Sequence, residues 1–249
     1  MYRYNSEIEK PNDEDRIWRY MDFTKFVSLL HSSALHFTRV DKLEDPFEGS
    51  FPRVNVQLRP QIYKGKMPPK DIKSLSEFYK QFVKHTFVSC WHLSKHQSAA
   101  MWKLYLQSNE GIAIRSTFGK LKKSLKKYKD HDVYIGNVKY IRYTKDLIPE
   151  GSLFPYFHKR LSFEHEKELR AVIQAFSYDK KGDIDWSKLP YGSGLNVSVD
   201  LNILIDRIVL APLCPPWQKE VVKSVLNKYD LKKPVLRSLL YAKGDRIVY

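Results

Sequence analysis

The chain has 249 residues with 43% hydrophobic and 29% charged side chains, the composition of an ordinary globular protein and not of a disordered or collagen-like one. It carries a formal charge of +15, and its two cysteines, Cys90 and Cys214, exclude a disulfide scaffold and favour a reducing cytoplasm. No apolar run approaches the ~18 residues needed to cross a bilayer, and Met1 to Lys10 has no secretory apolar region, so no membrane association is expected.

The charge is unevenly placed. Residues 1–50 hold 7 basic and 10 acidic side chains, whereas residues 51–110 are net +7 and residues 111–160 net +8. A basic middle of this kind attracts polyanions, either nucleic acid or an acidic protein. Its densest run is Lys120 to Lys129, where Phe118, Leu121, Leu125 and Tyr128 form one helical stripe and Thr117 stands at the N-cap. The lysines fall on the other face, which makes Lys120, Lys123 and Lys127 candidates for an anion surface, with Lys159 and Arg160 further along.

In chain order, residues 1–14 read as a polar leader and Ile17–Tyr20 as a short strand. Asp22 caps a helix with Phe23, Phe26, Val27 and Leu30 apolar, and Ala34–Thr38 is a second strand. A loop runs from Asp41 to Ser50, with Asp45-Pro46 and Gly49 as breakers. A basic segment of about 51–84 then forms an insertion, with an excursion or lid to Pro69 and a helix from Asp71 to Lys84. Thr86–Trp91 is a strand, Ser98 caps a helix to Leu106, and Gly111–Arg115 is a buried strand. Val133–Tyr143 reads as one long strand with a bulge at Gly136. Tyr156–His165 leads into a central strand, Glu168–Phe176, and Tyr178–Gly194 is a loop. Strands at Val197–Leu201 and Arg207–Ala211, a helix from Pro215 to Tyr229 and a strand at Pro234–Leu240 close the chain. No linker and no repeat are visible, so residues 15–249 are expected to form a single α+β domain, a mixed β-sheet with flanking helices.

Few motifs carry chemistry. Cys90-x-His92-x-x-x-His96 lacks a fourth metal ligand at standard spacing, so no metal is expected. There is no G-x-S-x-G elbow and no H-E-x-x-H helix. The informative stretch runs from Lys159 to Arg170, with Glu164, Glu166 and Glu168 at alternate positions. In an extended strand all three lie on one face. Their mutual repulsion raises at least one pKa unless Lys159, Arg160 and Arg170 compensate. Such a carboxylate would accept a sugar hydroxyl or act as a base. A metal-dependent nuclease built on these glutamates ranks last, because the usual Asp…Glu-x-Lys spacing is absent.

The succession Ile17-Trp-Arg-Tyr, Leu35-His-Phe-Thr-Arg, Glu44-Asp-Pro-Phe-Glu48, Val88-Ser-Cys-Trp91, Met101-Trp-Lys-Leu-Tyr105, Gly111-Ile-Ala-Ile and Lys159-Arg-x-x-Phe-x-x-Glu-x-Glu-x-Arg170 resembles a bacterial domain of unknown function, over roughly residues 15–240. More distantly, the order Arg19, Ser89, Glu166-Lys-Glu168 is similar to ADP-ribosyltransferases of the Arg–Ser–Glu type. That resemblance implies an ADP-ribosyltransferase-like core with NAD as substrate. It implies that Arg19 holds a phosphate, Ser89 steadies the ribose, and Glu168, with Glu166, supplies the catalytic carboxylates. Tyr20 or Trp91 would stack on the nicotinamide. Cys90 and Trp91 depart from the family pattern. The implied activity is an ADP-ribosyltransferase or NAD glycohydrolase of a phage-defence or toxin system. The alternative is a non-enzymatic nucleic-acid-binding module using the basic 51–160 surface. No sequence signal sets an oligomeric state.

Overall fold

A computed structural model describes residues 1–106 and 108–242. The elements are, in order, β1 (Arg16–Met21), α1 (Phe23–Ser32), β2 (Ala34–Arg39), α2 (Arg53–Ile62), α3 (Pro69–Val83), β3 (Thr86–Leu93), α4 (Ala99–Tyr105), β4 (Ile112–Thr117), α5 (Phe118–Ser124), β5 (Tyr134–Asn137), β6 (Lys139–Ile141), β7 (His158–Arg160), β8 (Glu168–Gln174), β9 (Gly194–Ser198), α6 (Leu201–Leu204), β10 (Arg207–Leu210), α7 (Gln218–Lys228) and β11 (Val235–Arg237). Parallel and antiparallel strands occur together with helices, so the fold is α+β with mixed sheet. The residues group into two compact units, each built from three separated stretches of chain. This interleaving explains why no linker is visible in the sequence.

The first unit comprises residues 1–10, 36–90 and 130–196. In it β8 pairs with β5 and with β3, and β2 pairs with β3 and with β9. A separate parallel pair joins β6 to β7. Its core includes a cluster of Ile8, Val40, Phe82, Val88, Tyr156, Phe157 and Val172. Residues 1–10, expected as a polar leader, are tied down here: Tyr2 bridges Val133, the Asn137 N–H donates to the Glu9 carbonyl at 2.7 Å, and Ile8 is buried.

Two expectations in this unit change. The excursion to Pro69 contains α2, formed with Pro60 inside it; buried Asn55 and Arg59 on that helix bond Ile148 and Glu150 and hold it in place. The long strand 133–143 is two strands. Gly136 is no bulge but a point of close approach, since a Cβ there would lie 2.2 Å from Ile8 Cγ2 and 2.7 Å from the Glu9 carbonyl oxygen. After Asn137 the Val138 N–H donates to the Glu168 carbonyl, and the chain leaves the β8 ladder to pair with β7.

The second unit comprises residues 11–35, 91–129 and 197–249. Its sheet runs β11-β10-β4-β1, with the end of β3 on the far side of β1, and all neighbours are antiparallel except β10 and β11. The parallel β10–α7–β11 ending is the short α/β unit that the sequence predicts. Local signals held well in this unit: Asp22 accepts from the Lys25 N–H, Ser98 from the Met101 N–H and Thr117 from the Lys120 N–H, each at a helix start. The lysine helix, however, stops at Ser124 and gives way to turns, although Leu125 and Tyr128 remain buried. Similarly, Leu201, expected at the end of a strand, opens α6 under an Asp200 cap.

Candidate functional site

The site is a buried ion cluster in the first unit. Arg170, on the central strand β8, is wholly buried. Its Nε and Nη2 donate to the two carboxylate oxygens of Glu168 at 2.7 and 2.9 Å. Its Nη1 and Nη2 donate to those of Glu48 at 2.7 and 3.0 Å, and Nη1 also reaches the Tyr156 carbonyl. Positions 168 and 170 point to one face of a strand, so a single guanidinium meets both acids.

Lys159, on β7, adds a second cation. Its Nζ lies 2.6 Å from Glu166, 3.4 Å from Glu48 and 3.6 Å from Glu168. Glu164, Glu166 and Glu168 do not share a strand face: residues 161–166 form a 3-10 helix, and only Glu168 lies on β8. Between them Lys167 adopts a left-handed conformation (φ 42°), which turns Glu166 and Glu168 toward the same lysine. Nearby, Arg160 donates to Asp45 from Nε and Nη2 at 3.3 and 2.8 Å. Asp45 and Glu48 therefore strap the loop after β2 onto β7 and β8.

The electrostatics separate the two neighbouring glutamates. For Glu168, burial alone would raise the pKa, but the paired Arg170 guanidinium, then Lys159 and the Cys90 thiol, hold it down at about 2. For Glu166, burial raises the pKa; the Lys159 bond opposes this and the negative Glu168 adds to it, leaving a net upward shift. Glu168 is thus an enclosed carboxylate held ionised down to about pH 2, while Glu166, its side chain 15% exposed, takes up a proton more readily than an ordinary glutamate. Burial, with Glu168 next to it, pushes the Cys90 thiol up, so it is a protonated donor. Tyr140, on β6, accepts the Glu168 N–H at 2.7 Å.

The remaining sequence-predicted residues have these positions. Ser89 is buried on β3 in the first unit. Arg19, Tyr20 and Trp91 belong to the second unit, where the Arg19 guanidinium lies 5.8 Å from the Trp91 ring centre. Tyr20 and Trp91 are buried, and the Tyr20 hydroxyl accepts the Ser98 N–H while its ring packs edge-on to Trp102. Of the anion-surface candidates, Lys120 is engaged by Asp206 at 2.8 Å, beside Arg115. Lys123 is exposed, and Lys127 borders a cavity of about 470 Å³ with His31, Asp200, Tyr229 and Leu231. Lys159 is enclosed by carboxylates, and Arg160 is half-exposed. Cys90 and His92 have separate partners, Glu168 and the Tyr20 ring respectively. Among the described residues no group of three or more His, Cys, Asp or Glu side chains is placed to hold a metal ion.

The sequence places Asp45 and Glu48 in a loop and assigns them no part in the site, whereas in the structure they bind Arg160 and Arg170. The available signal was the two acids flanking Pro46 and Phe47.

No family model matches the chain, and no curated protein does. The resemblance to a bacterial domain of unknown function therefore rests on the motifs quoted above. Similar solved structures include DarT from Thermus sp. 2.9. In complex with NAD+ it has a TM-score of 0.41 at 8% identity, over 92% of this chain and 97% of that one. In complex with ADP-ribosylated ssDNA it has a TM-score of 0.41 at 9% identity, over 92% and 96%. At such identities the likeness carries no residue correspondence.

Proposed function

We propose that this chain is an NAD-utilising enzyme, an ADP-ribosyltransferase-like or NAD-glycohydrolase-like protein, with Glu166 as its proton-accepting carboxylate. The observation that supports this reading is the pair Glu166 and Glu168, adjacent under one lysine and shifted in opposite directions. Environments that drive two carboxylates apart assign one to proton transfer and the other to a fixed charge. In glycosyl transfer from NAD, the bond between the ribose and the nicotinamide nitrogen breaks. Its electron pair goes to nicotinamide and positive charge develops on the ribose. Glu166, the partly exposed acid of the cluster, supplies the negative charge that faces it, while Glu48 and Glu168 are balanced by Arg170 and Lys159. An acceptor hydroxyl or water then forms the new bond to the ribose carbon and releases its proton to Glu166.

Incubation with NAD+ and measurement of free nicotinamide tests the reading. Glu166→Gln should retain the wild-type melting temperature and lose on the order of 10² to 10⁴-fold in rate. No nicotinamide release by the wild type, or an unimpaired Glu166→Gln, overturns it.

A nucleic-acid-binding role has support of its own on α3, in addition to the 118–129 run, where Lys123 and Lys127 are exposed. Lys70, Lys73 and Lys80, with Lys84 at the C-cap, recur at helical spacing along one exposed face opposite buried Leu75 and Phe82. Only Glu77 interrupts the stripe, 3.8 Å from Lys80. Binding of a mixed-sequence oligonucleotide should weaken steeply with salt. Replacing the four lysines by glutamine should flatten the slope of log affinity against log salt by about 3 to 4. An unchanged slope excludes this face.

A further inference from the structure

We propose that Arg160 is an anion seat beside Glu166, suited to the diphosphate of a nucleotide; this rests on the reading of the site as a nucleotide-using one. Three cations stand in the cluster, and two are consumed. Arg170 is buried with its donors on Glu48, Glu168 and Tyr156, and Lys159 Nζ is ringed by three carboxylates. Arg160 alone of the three keeps a free edge. Its Nε and Nη2 face Asp45, and its Nη1, for which no acceptor occurs among the described residues, reaches solvent on a side chain 35% exposed.

The guanidinium is also immobilised. Its centre lies 4.4 Å from the Phe47 ring and 5.3 Å from the Phe163 ring. Asp45, which orients it, is itself buried and accepts the Phe47 N–H at 3.0 Å. Phe47 is 42% exposed and is braced edge-on by Tyr143, an arrangement that serves the arginine better than it serves the core. A surface arginine usually loses side-chain freedom on binding an anion; here that freedom is already lost, and the outward donor edge is set in advance. Lys159 Nζ and the Arg160 guanidinium both lie against the Phe163 ring, at 4.6 and 5.3 Å from its centre, so an anion on Arg160 lies near the lysine that holds Glu166.

Calorimetric titration with inorganic pyrophosphate, ADP and adenosine, read apart from any cleavage of NAD+, tests the seat. The wild type should bind ADP at least tenfold more tightly than adenosine. Arg160→Gln should abolish that difference and the pyrophosphate binding, and Arg160→Lys should retain part of both. Asp45→Asn loosens the same strap but leaves the guanidinium, so it should keep most of the preference for ADP. The proposal is overturned if the wild type binds neither pyrophosphate nor ADP, if Arg160→Gln binds as the wild type does, or if Asp45→Asn loses as much as Arg160→Gln. ADP binding that needs Arg160 in a protein that releases no nicotinamide keeps the seat and removes the enzymatic reading. Nicotinamide release with ADP affinity and KM unaffected by Arg160→Gln does the reverse.

Discussion

Arg170 holds Glu48 across 122 positions of sequence, Nη1 at 2.7 Å from one carboxylate oxygen and Nη2 at 3.0 Å from the other. The pair is almost fully enclosed, and the same guanidinium also neutralises Glu168. Both acids are therefore buried at the expense of one cation, with Lys159 making up the balance.

This arrangement makes Arg170 the most sensitive position in the first unit. Removing one partner of a buried ion pair leaves an uncompensated charge and costs about 3–5 kcal/mol. Arg170→Met should lower the unfolding free energy by at least that amount in urea denaturation followed by circular dichroism. Arg170→Lys should lose less, because it keeps the charge and forfeits the two-pronged geometry.

The same cluster sets an acid limit. Glu168 has a folded-state pKa of about 2, below its unfolded value, so its stabilisation is complete above about pH 4.3 and is lost as pH falls toward 2. Glu166, with its pKa raised, has the opposite sign: what it contributes is present at low pH and is lost as pH rises through its folded value. Unfolding free energy measured from pH 5 to pH 2 should fall in the wild type. Glu168→Gln should show a shallower dependence over that window, and an identical slope would remove Glu168 as the source.

The docking of residues 1–10 depends on the missing side chain at Gly136. Gly136→Ala should force Ile8 and the Glu9 backbone away, because the added carbon would sit within 3 Å of both. The expected cost of such overpacking is about 1–3 kcal/mol, measurable as a lowered melting temperature and faster amide exchange at Asn137. A protein truncated before Pro11 should tolerate the alanine without further loss.

Individual elements were legible in the sequence wherever their cause is local. Strand β1, the Asp22, Ser98 and Thr117 caps, helix α7 and the core strand β8 follow from apolar periodicity and a side-chain oxygen three residues before an amide. The carboxylate-rich segment 164–168 was legible as a place of charge stress, and Lys159 and Arg170 as its compensation. Helix α2 escaped because Pro60 reads as a breaker, while the groups that hold it, Ile148 and Glu150, lie about 90 positions away. The end of α5 at Ser124 escaped for the converse reason: Leu125 and Tyr128 are apolar and buried but reach the interior from turns.

Composition and order along the chain determined the α+β class, the uneven charge and which residues can carry chemistry. The basic middle, first visible only as a net charge, is resolved by tertiary structure into separate fates. Lys120 is spent on Asp206 and Lys159 on three glutamates, while Arg160 is pinned by Asp45 with one edge outward and α3 keeps an exposed lysine face. The reason is physical. Whether a charge is neutralised depends on which opposite charge the fold brings within about 4 Å, and burial decides how much that neighbour shifts a pKa. Neither quantity is encoded in spacing, and so Glu166 and Glu168, two positions apart, come to differ in exposure, in partner and in the direction of their titration.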